Sequence, residues 1–203
     1  MKIICVGRNY AEHAKELNNP VNEKPVIFMK PETATITGRL PFFIPDFSND
    51  VHHEAEIVVR INKTGKNIEE RFANRYYDDV TIGIDFTARD VQSELKSKGL
   101  PWELAKAFDG SAPFGKFIPK EEAFVDGCID FHLLKNGEMV QKGKTSDMIF
   151  SIDRVISFVS GFITLKKGDL IFTGTPKGVG PVQKGDSLEG FIGDRKLLDL
   201  KVR

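Results

Sequence analysis

The feature that most constrains this chain is a pair of glutamates, Glu54 and Glu56, inside an otherwise apolar run that reads as a strand. Successive side chains of a strand point to opposite faces, so both carboxylates are predicted to share one face, about 6–7 Å apart along the backbone. The other face is predicted to be core and carries Ala55, Ile57, Val59 and Ile61. Two like charges beside a core strand fit a bound hard cation such as magnesium, manganese or calcium. A solvated strand face is the alternative.

Composition and charge are those of an ordinary globular protein. The 203 residues include 29 acidic and 29 basic side chains, and we predict a single domain over residues 1–203. A formal net charge of zero argues against a nucleic-acid binder that relies on excess Lys and Arg. Cys5 and Cys128 have neither the spacing of a disulfide framework nor that of a zinc site. Without a leader or an apolar span, we expect a cytoplasmic protein with no membrane association.

Short strand patterns alternate with short helix patterns, which predicts a β-rich α+β domain. The predicted strands are residues 3–6, 25–30, 80–84, 129–135 and 170–173. The predicted helices are residues 10–17, residues 67–77 and a helix that Ser151 caps.

Two local motifs give sharper predictions. Thr87 and Asp90 fit a capping box for a helix with Val91 and Leu95 facing inward, which ends at Gly99-Leu-Pro101. Asn136-Gly137 predicts a two-residue hairpin turn.

Asp85 is the natural third ligand beside Glu54 and Glu56. It follows the predicted strand 80–84 directly, where a buried carboxylate needs a partner. Three carboxylates without a cysteine or paired-histidine set favour magnesium or manganese, with water and substrate completing the coordination. Capping of the next helix is the alternative role for Asp85.

His13 and Glu16 lie three residues apart on the first predicted helix, so their side chains are neighbours. A carboxylate beside an imidazole fixes its tautomer and raises its basicity, which suits a general base that acts on water. A surface pair is the alternative.

Three further side chains are candidates for the same pocket. Lys106 stands between large apolar residues and a loop rich in Gly and Pro, where it either meets a carboxylate or reaches solvent. Arg89 and Gln92 follow Asp85 on the next helix and either reach the pocket or form a solvated face.

The segment Thr173-Gly-Thr-Pro-Lys-Gly-Val-Gly180 is a glycine-rich turn after a strand. It lacks the ending of a phosphate-binding loop, so nucleotide binding is not expected. The Thr175 hydroxyl and backbone N–H groups could still contact an anionic ligand. His52 and His53, beside the glutamates, are expected to make structural hydrogen bonds.

Taken in order, these motifs resemble the fumarylacetoacetate hydrolase superfamily. The matching segments are Gly7-Arg-Asn-Tyr10 with His13 and Glu16, His53-Glu-Ala-Glu56, Asp85-Phe-Thr-Ala-Arg-Asp-Val-Gln92, Gly99-Leu-Pro-Trp102 with Lys106, and Thr173 to Gly180. The similarity runs through almost the whole chain and is nearest to the short acylpyruvase branch, which includes oxaloacetate decarboxylases.

The resemblance implies a β-roll core with short surrounding helices, usually in a homodimer, and a keto-acid substrate. It implies Mg²⁺ or Mn²⁺ on Glu54, Glu56 and Asp85. His13 and Glu16 would lie in a segment that orders over the site. Lys106, Gln92 and Thr175 would contact the keto acid, and Arg89 would support them. Residues 17–24 diverge from the pattern, which leaves substrate choice open.

Hydrolysis of a 3-acylpyruvate to pyruvate and a carboxylic acid is the activity favoured by the sequence. His13 would activate water, and Lys106 would lie near the developing enolate. Decarboxylation of oxaloacetate is the nearest alternative. Isomerisation or decarboxylation of 2-hydroxyhepta-2,4-diene-1,7-dioate is another, and a binding protein with a structural ion is a third.

Overall fold

The computed structural model describes residues 1–16, 23–36 and 40–203. Its strands are β1 (Ile3–Gly7), β2 (Val26–Lys30), β3 (Val51–His53), β4 (Ala55–Ile61), β5 (Tyr77–Ile84), β6 (Thr87–Ala88), β7 (Ile118–Pro119), β8 (Asp130–Lys135), β9 (Glu138–Lys144), β10 (Leu170–Phe172), β11 (Gly180–Pro181), β12 (Ser187–Ile192) and β13 (Arg195–Lys201). Its helices are α1 (Ala11–Glu16), α2 (Glu70–Ala73), α3 (Arg89–Ser97), α4 (Glu103–Lys106), α5 (Lys120–Ala123) and α6 (Ile152–Phe162). The predicted end of the first helix at Leu17 and most of the divergent stretch 17–24 lie outside the described residues.

The strands form three sheets, which confirms the β-rich α+β prediction. The six-stranded sheet has the order β2-β1-β10-β4-β5-β7, and within it β1 and β10 run parallel while the other neighbours are antiparallel. A three-stranded sheet has the order β11-β3-β6, and a four-stranded sheet has the order β13-β12-β8-β9. Within the three described ranges, every helix is too short or too polar to cross a membrane.

Strand β4 occupies the middle of the large sheet and is buried on both faces. Ile57, Val58 and Val59 are all inaccessible to solvent, and Arg60 is the first exposed residue of the strand. The solvated-face alternative for the glutamates is therefore wrong. The strand is also interrupted, because Glu54 lies at the break between β3 and β4.

The helix predicted over residues 67–77 is much shorter in the structure. Helix α2 covers only Glu70–Ala73, and β5 already begins at Tyr77. The backbone N–H of Asn67 donates to the Ser160 carbonyl (3.0 Å), and that of Ile68 donates to the Ser160 hydroxyl (2.8 Å). These tertiary hydrogen bonds to α6 hold the first predicted residues out of the helix.

The predicted capping box is wrong. Helix α3 starts at Arg89 with Ala88 as its N-cap and no side-chain cap, because Thr87 belongs to β6 and pairs with His52. On the buried face of α3, Gln92 takes the place predicted for Val91, which is only half-buried. The predicted stop is confirmed, since α3 ends at Ser97 and Gly99 adopts a positive φ of 64°.

Two other local predictions are confirmed. The Ser151 side chain caps α6 by accepting a hydrogen bond from the Arg154 backbone N–H (3.2 Å). Asn136 and Gly137 join β8 to β9, and both have positive φ (55° and 84°), as a type I′ hairpin turn requires.

Candidate active site

The predicted site residues converge on one pocket. All of them line it except Glu16. They come from β4 and the residue before it, from the residue after β5, from α1, α3 and α4, and from the turn after β10. The pocket wall also includes residues that were assigned no role from the sequence; these are Val6, Gly7, Arg8, Phe28, Lys96 and Trp102.

Glu54, Glu56 and Asp85 form an acidic triad in which one oxygen of each carboxylate lies within 4.8 Å of the others. Strand register explains the convergence. Ala55 pairs with Ile84 in the β4–β5 ladder, and the Asp85 backbone N–H donates to the Glu54 carbonyl (2.8 Å). All three side chains are buried, with at most 5% of their surface exposed. Three buried carboxylates need positive charge close by.

The Lys106 ammonium supplies part of that charge. It donates to Glu54 Oε2 (2.9 Å), Asp85 Oδ2 (2.7 Å) and the Thr87 hydroxyl (2.5 Å), which uses all of its protons. Burial by itself lowers the pKa of Lys106, but the carboxylates of Asp85 and Glu54 outweigh it and raise that pKa above its ordinary value. The solvent-reaching alternative for Lys106 is therefore wrong.

Lys30 is a second buried cation, which the sequence analysis missed. Its Nζ lies 2.7 Å from Asp85 Oδ1 and donates to the backbone carbonyls of Ser111 (3.0 Å), Phe86 (3.4 Å) and Lys106. Asp85 Oδ1 accepts no directed hydrogen bond from any described residue, so this oxygen keeps acceptor capacity. The available signal was a lone lysine at the end of the apolar run 25–30.

The triad carboxylates differ in how readily they ionise. Burial raises the pKa of Glu54, but the charges of Lys106, Arg89 and His13 outweigh this and hold the pKa below its ordinary value. Burial and the neighbouring Asp85 carboxylate raise the pKa of Glu56 well above its ordinary value. The triad offers only oxygen donors. Asp85 Oδ1 can accept a further ligand, and a nearby cation would stabilise the ionised form of Glu56. This arrangement fits a hard divalent cation such as Mg²⁺ or Mn²⁺.

Arg89 and Gln92 extend the network along α3. The Arg89 guanidinium donates to Glu54 Oε1 (2.5 Å) through one nitrogen and to Gln92 Oε1 (2.8 Å) through another. Both residues line the pocket, so the solvated-face alternative is wrong for them.

His13 and Glu16 form more than a surface pair. His13 is buried and lines the pocket, and its Nδ1 lies 3.2 Å from Glu16 Oε2. Glu16 is more exposed and accepts a hydrogen bond from the Gly178 backbone N–H (3.1 Å). Glu16 therefore joins the His13 imidazole to the glycine-rich turn.

Thr175 is held in place by two hydrogen bonds. Its hydroxyl donates to the Ala55 carbonyl (2.9 Å) and accepts from the side chain of Gln141 (2.9 Å), a buried residue that the sequence analysis missed. Gln141 Oε1 in turn lies 2.9 Å from His53 Nδ1, in agreement with a structural role for His53. His52 likewise contacts Asp50 (2.9 Å).

Gly174 brings the glycine-rich turn close to the triad. Its backbone N–H donates to Glu56 Oε2 (2.7 Å), and its φ is +101°. A Cβ at this position would lie 2.6 Å from Asn9 Cβ, so only glycine fits. Asn9, also missed, donates to the carbonyls of Phe150 (2.9 Å) and Thr173 (2.8 Å) and thereby fixes the start of α1.

Comparisons with known proteins agree with this geometry. Residues 2–200 match the family model for the fumarylacetoacetate (FAA) hydrolase C-terminal domain. The chain is 47% identical over 201 residues to a mitochondrial oxaloacetate tautomerase of Mus musculus, covering 99% of this chain and 91% of that protein. It is 42% identical over 189 residues to a mitochondrial oxaloacetate decarboxylase of Dictyostelium discoideum, covering 93% and 87%.

A solved structure gives the same result. The chain superposes on a fumarylpyruvate hydrolase from Pseudomonas aeruginosa, crystallised with Mn²⁺ and pyruvate, with a TM-score of 0.92 and 36% identity over 100% of this chain and 89% of that one. The predicted fumarylacetoacetate hydrolase-like β-roll fold is thus confirmed. This chain belongs to the fumarylacetoacetate hydrolase family.

Proposed function

We propose that this protein is a metal-dependent enzyme that interconverts the keto and enol forms of oxaloacetate and decarboxylates oxaloacetate at the same site. The observation that carries the proposal is that the buried acidic triad lies in one pocket with His13, whose imidazole contacts Glu16. The oxaloacetate tautomerase and decarboxylase names of relatives at 47% and 42% identity support this substrate.

Glu54, Glu56 and Asp85 would hold Mg²⁺ or Mn²⁺, which supplies Lewis-acid stabilisation of negative charge on the 2-keto oxygen when it is bound. Lys106 holds Glu54 and Asp85 in position, and Arg89 also pairs with Glu54. Thr175 and Gln92 line the pocket where the keto acid would bind.

His13 is the proposed proton carrier. Its Nδ1 faces Glu16, so Nε2 is the nitrogen left to act on substrate. In the tautomerisation, the imidazole takes a proton from C3, the C–H electron pair forms the C2–C3 double bond, and the π pair of the C2 carbonyl moves onto its oxygen. A proton then returns to the C2 oxygen and completes the enol.

Decarboxylation uses the same pocket without that proton carrier. The C3–C4 bond breaks, CO₂ departs, and the electron pair moves onto the C2 oxygen to leave the enolate of pyruvate. Protonation at C3 then gives pyruvate. Loss of His13 should therefore affect the two reactions unequally.

Hydrolysis of 3-acylpyruvates, which the sequence favoured, becomes the second candidate. The similarity to the fumarylpyruvate hydrolase supports it, although that protein is only 36% identical to this chain. In this reaction His13 would activate a water that attacks the distal carbonyl.

A substrate panel tests the proposal. The protein, loaded with Mg²⁺ or Mn²⁺, is given enol-oxaloacetate, keto-oxaloacetate, acetylpyruvate and fumarylpyruvate. Enol loss is followed by absorbance and pyruvate by a coupled assay. We expect the highest kcat/KM on oxaloacetate, and no activity in EDTA. A higher kcat/KM on either acylpyruvate would replace our proposal with the hydrolase.

A further inference from the structure

Two cations in the pocket have no carboxylate partner. Arg8 Cζ lies 6.0 Å from the centroid of the Trp102 ring, and Lys96 Nζ lies 5.4 Å from the same ring. In the ranges that the structure describes, neither side chain forms an ion pair or a hydrogen bond. Residues 17–22 and 37–39, which lie outside those ranges, contain no acidic side chain.

The other cations of the pocket differ in this respect. Lys106 and Arg89 pair with Glu54, and Lys30 and Lys106 pair with Asp85. Glu54 and Asp85 are therefore paired with these cations, whereas Glu56 is held by the Gly174 backbone N–H. Arg8 and Lys96, hereafter the outer cations, leave a positive charge that no carboxylate in the described part of the chain balances.

A series of contacts through two aromatic rings connects the triad to the outer cations. Lys106 Nζ, which pairs with the triad, lies 5.2 Å from the Phe28 ring, and the rings of Phe28 and Trp102 lie 6.0 Å apart. We call the end of the pocket at the triad the inner end and the end at Arg8 and Lys96 the outer end. A ligand that spans both would place one anionic group at each end.

The environment of Lys96 also favours an anion. Burial, together with the charges of Arg8, Arg89 and Lys106, lowers the pKa of Lys96 to about 8. A carboxylate bound beside Lys96 would relieve this repulsion.

Arg8 adopts a backbone conformation that residues other than glycine seldom adopt. Its φ is +60°, a conformation that costs free energy and persists only where the surroundings impose it. The next residue, Asn9, imposes it through its hydrogen bonds to the carbonyls of Phe150 and Thr173. The chain thus holds a strained residue beside the pocket, where it directs a guanidinium to the outer end.

We propose that Lys96, assisted by Arg8, forms a second carboxylate subsite that binds the distal carboxylate of a four-carbon dicarboxylic acid. The identity of that acid as oxaloacetate rests on the proposed function. Lys96 is then a residue that determines specificity, because it distinguishes a keto diacid from a keto monoacid of the same length.

Binding of inert ligands tests the subsite without turnover. Malate and 2-hydroxybutanoate share a 2-hydroxy acid end, and only malate has the distal carboxylate; oxalate reaches only the inner end. Trp102 is the only tryptophan in the chain, so its fluorescence reports binding directly at the outer end. The Mn²⁺-loaded protein is titrated with each ligand.

We expect the wild type to bind malate about tenfold more tightly than 2-hydroxybutanoate, as a charge-assisted hydrogen bond implies. Lys96→Met, which keeps the apolar stem, should abolish this preference and leave the affinity for oxalate within about twofold. Lys96→Arg should retain the preference. Lys98→Met, on the same helix end, is the matched control and should behave as the wild type.

Two results would overturn the subsite. One is a wild type without a preference for malate, and the other is a Lys96→Met variant that weakens all three ligands equally or keeps the preference. Failure of the proposed function is a separate result. A wild type that prefers malate but turns over no oxaloacetate would overturn the activity and leave the subsite standing.

Discussion

The Lys30 ammonium lies 2.7 Å from Asp85 Oδ1, and both side chains are almost entirely buried. The same ammonium donates to the carbonyls of Ser111 and Phe86. One side chain thus balances the charge of a triad carboxylate and joins the backbone segments around it. Removal of one partner from a buried ion pair leaves an uncompensated charge.

We therefore expect Lys30→Met to lower the free energy of unfolding by about 3–5 kcal/mol, the usual cost of breaking a buried ion pair. Urea unfolding in EDTA measures this without a contribution from metal. The exposed Lys98, which pairs with Glu94, is the control, and Lys98→Met should change stability by less than about 0.5 kcal/mol. Equal effects of the two substitutions would contradict the structural role of Lys30.

Glu56→Gln should separate metal binding from folding. Glutamine can still accept the hydrogen bond from the Gly174 N–H, and it removes one negative charge from the buried triad. In EDTA we expect the variant to be at least as stable as the wild type. Mn²⁺ at 100 times its Kd should stabilise the wild type by about 2.7 kcal/mol and the variant far less. Thermal unfolding of both proteins with and without Mn²⁺ measures this difference. Equal stabilisation of the wild type and the variant by Mn²⁺ would contradict the assignment of the triad as the metal site.

His13→Ala should affect the two proposed reactions differently. Loss of a general base costs about 10²- to 10⁴-fold in rate, and we expect that loss for tautomerisation. Decarboxylation should fall only a few-fold because it needs no base for bond cleavage. Parallel assays of both reactions at saturating Mn²⁺ measure the loss of rate that the substitution causes in each.

The control for this experiment is Glu12→Gln on the same helix, where the exposed pair with Lys177 contributes little. A proportionate loss of both activities in His13→Ala, with Mn²⁺ affinity unchanged, would mean that His13 does not act as the proton carrier.

Gly174→Ala should destabilise the protein, because the new Cβ would lie 2.6 Å from Asn9 Cβ and φ is +101°. Strained backbone of this kind costs about 1–3 kcal/mol, measurable by urea unfolding. Gly161→Ala is the opposite control. Its Cβ would meet nothing within 4 Å inside α6, so it should stabilise the protein by about 0.4–1 kcal/mol. Destabilisation by both would refute the explanation by close contact.

The lowered pKa of Lys96, about 8, predicts a pH dependence of stability. Below pH 8 Lys96 is protonated in the folded and the unfolded state, and the folded state bears the full repulsion. Between pH 8 and the ordinary lysine value of about 10.5 the folded state loses the proton first, so this penalty disappears as pH rises.

Lys96→Met should therefore be more stable than the wild type at pH 7, and this advantage should shrink toward pH 10.5. Urea titrations of both proteins across that pH range measure how the difference in their free energies of unfolding changes with pH. An advantage that stays constant with pH would show that it comes from packing and not from charge.

Local patterns predicted the β-rich α+β class and most of the candidate site residues, whereas the β-roll core was implied by the resemblance to the family. Strand alternation predicts that Ala55 and Ile57 lie in the core, and the high glycine content of residues 173–180 predicts a turn. Asp85 could be grouped with Glu54 and Glu56 because it directly follows a strand. Local patterns do not distinguish the activity, since one pocket can serve hydrolysis or enolisation; the sequence favoured hydrolysis, and our proposal is enolisation.

The errors arose where tertiary contacts override local preference. Thr87 has the sequence of a helix cap, yet its hydroxyl is taken by Lys106 from α4. Ser160 draws Asn67 and Ile68 away from a helix that their spacing favours. Lys30 and Gln141 were missed because a single polar residue in a strand pattern gives no indication of the buried partners it meets.

The hydrogen bond from Gly174 to Glu56 has a consequence for synthesis on the ribosome. Its two residues are 118 positions apart in the chain. Strand β1 likewise cannot pair with its parallel neighbour until β10 has been translated. The three carboxylates and the β4–β5 ladder that gathers them are already present once residue 85 has been translated. A nascent chain that ends before Gly174 therefore carries Glu56 without this hydrogen bond, and the cluster reaches its final geometry only after Gly174 has been added.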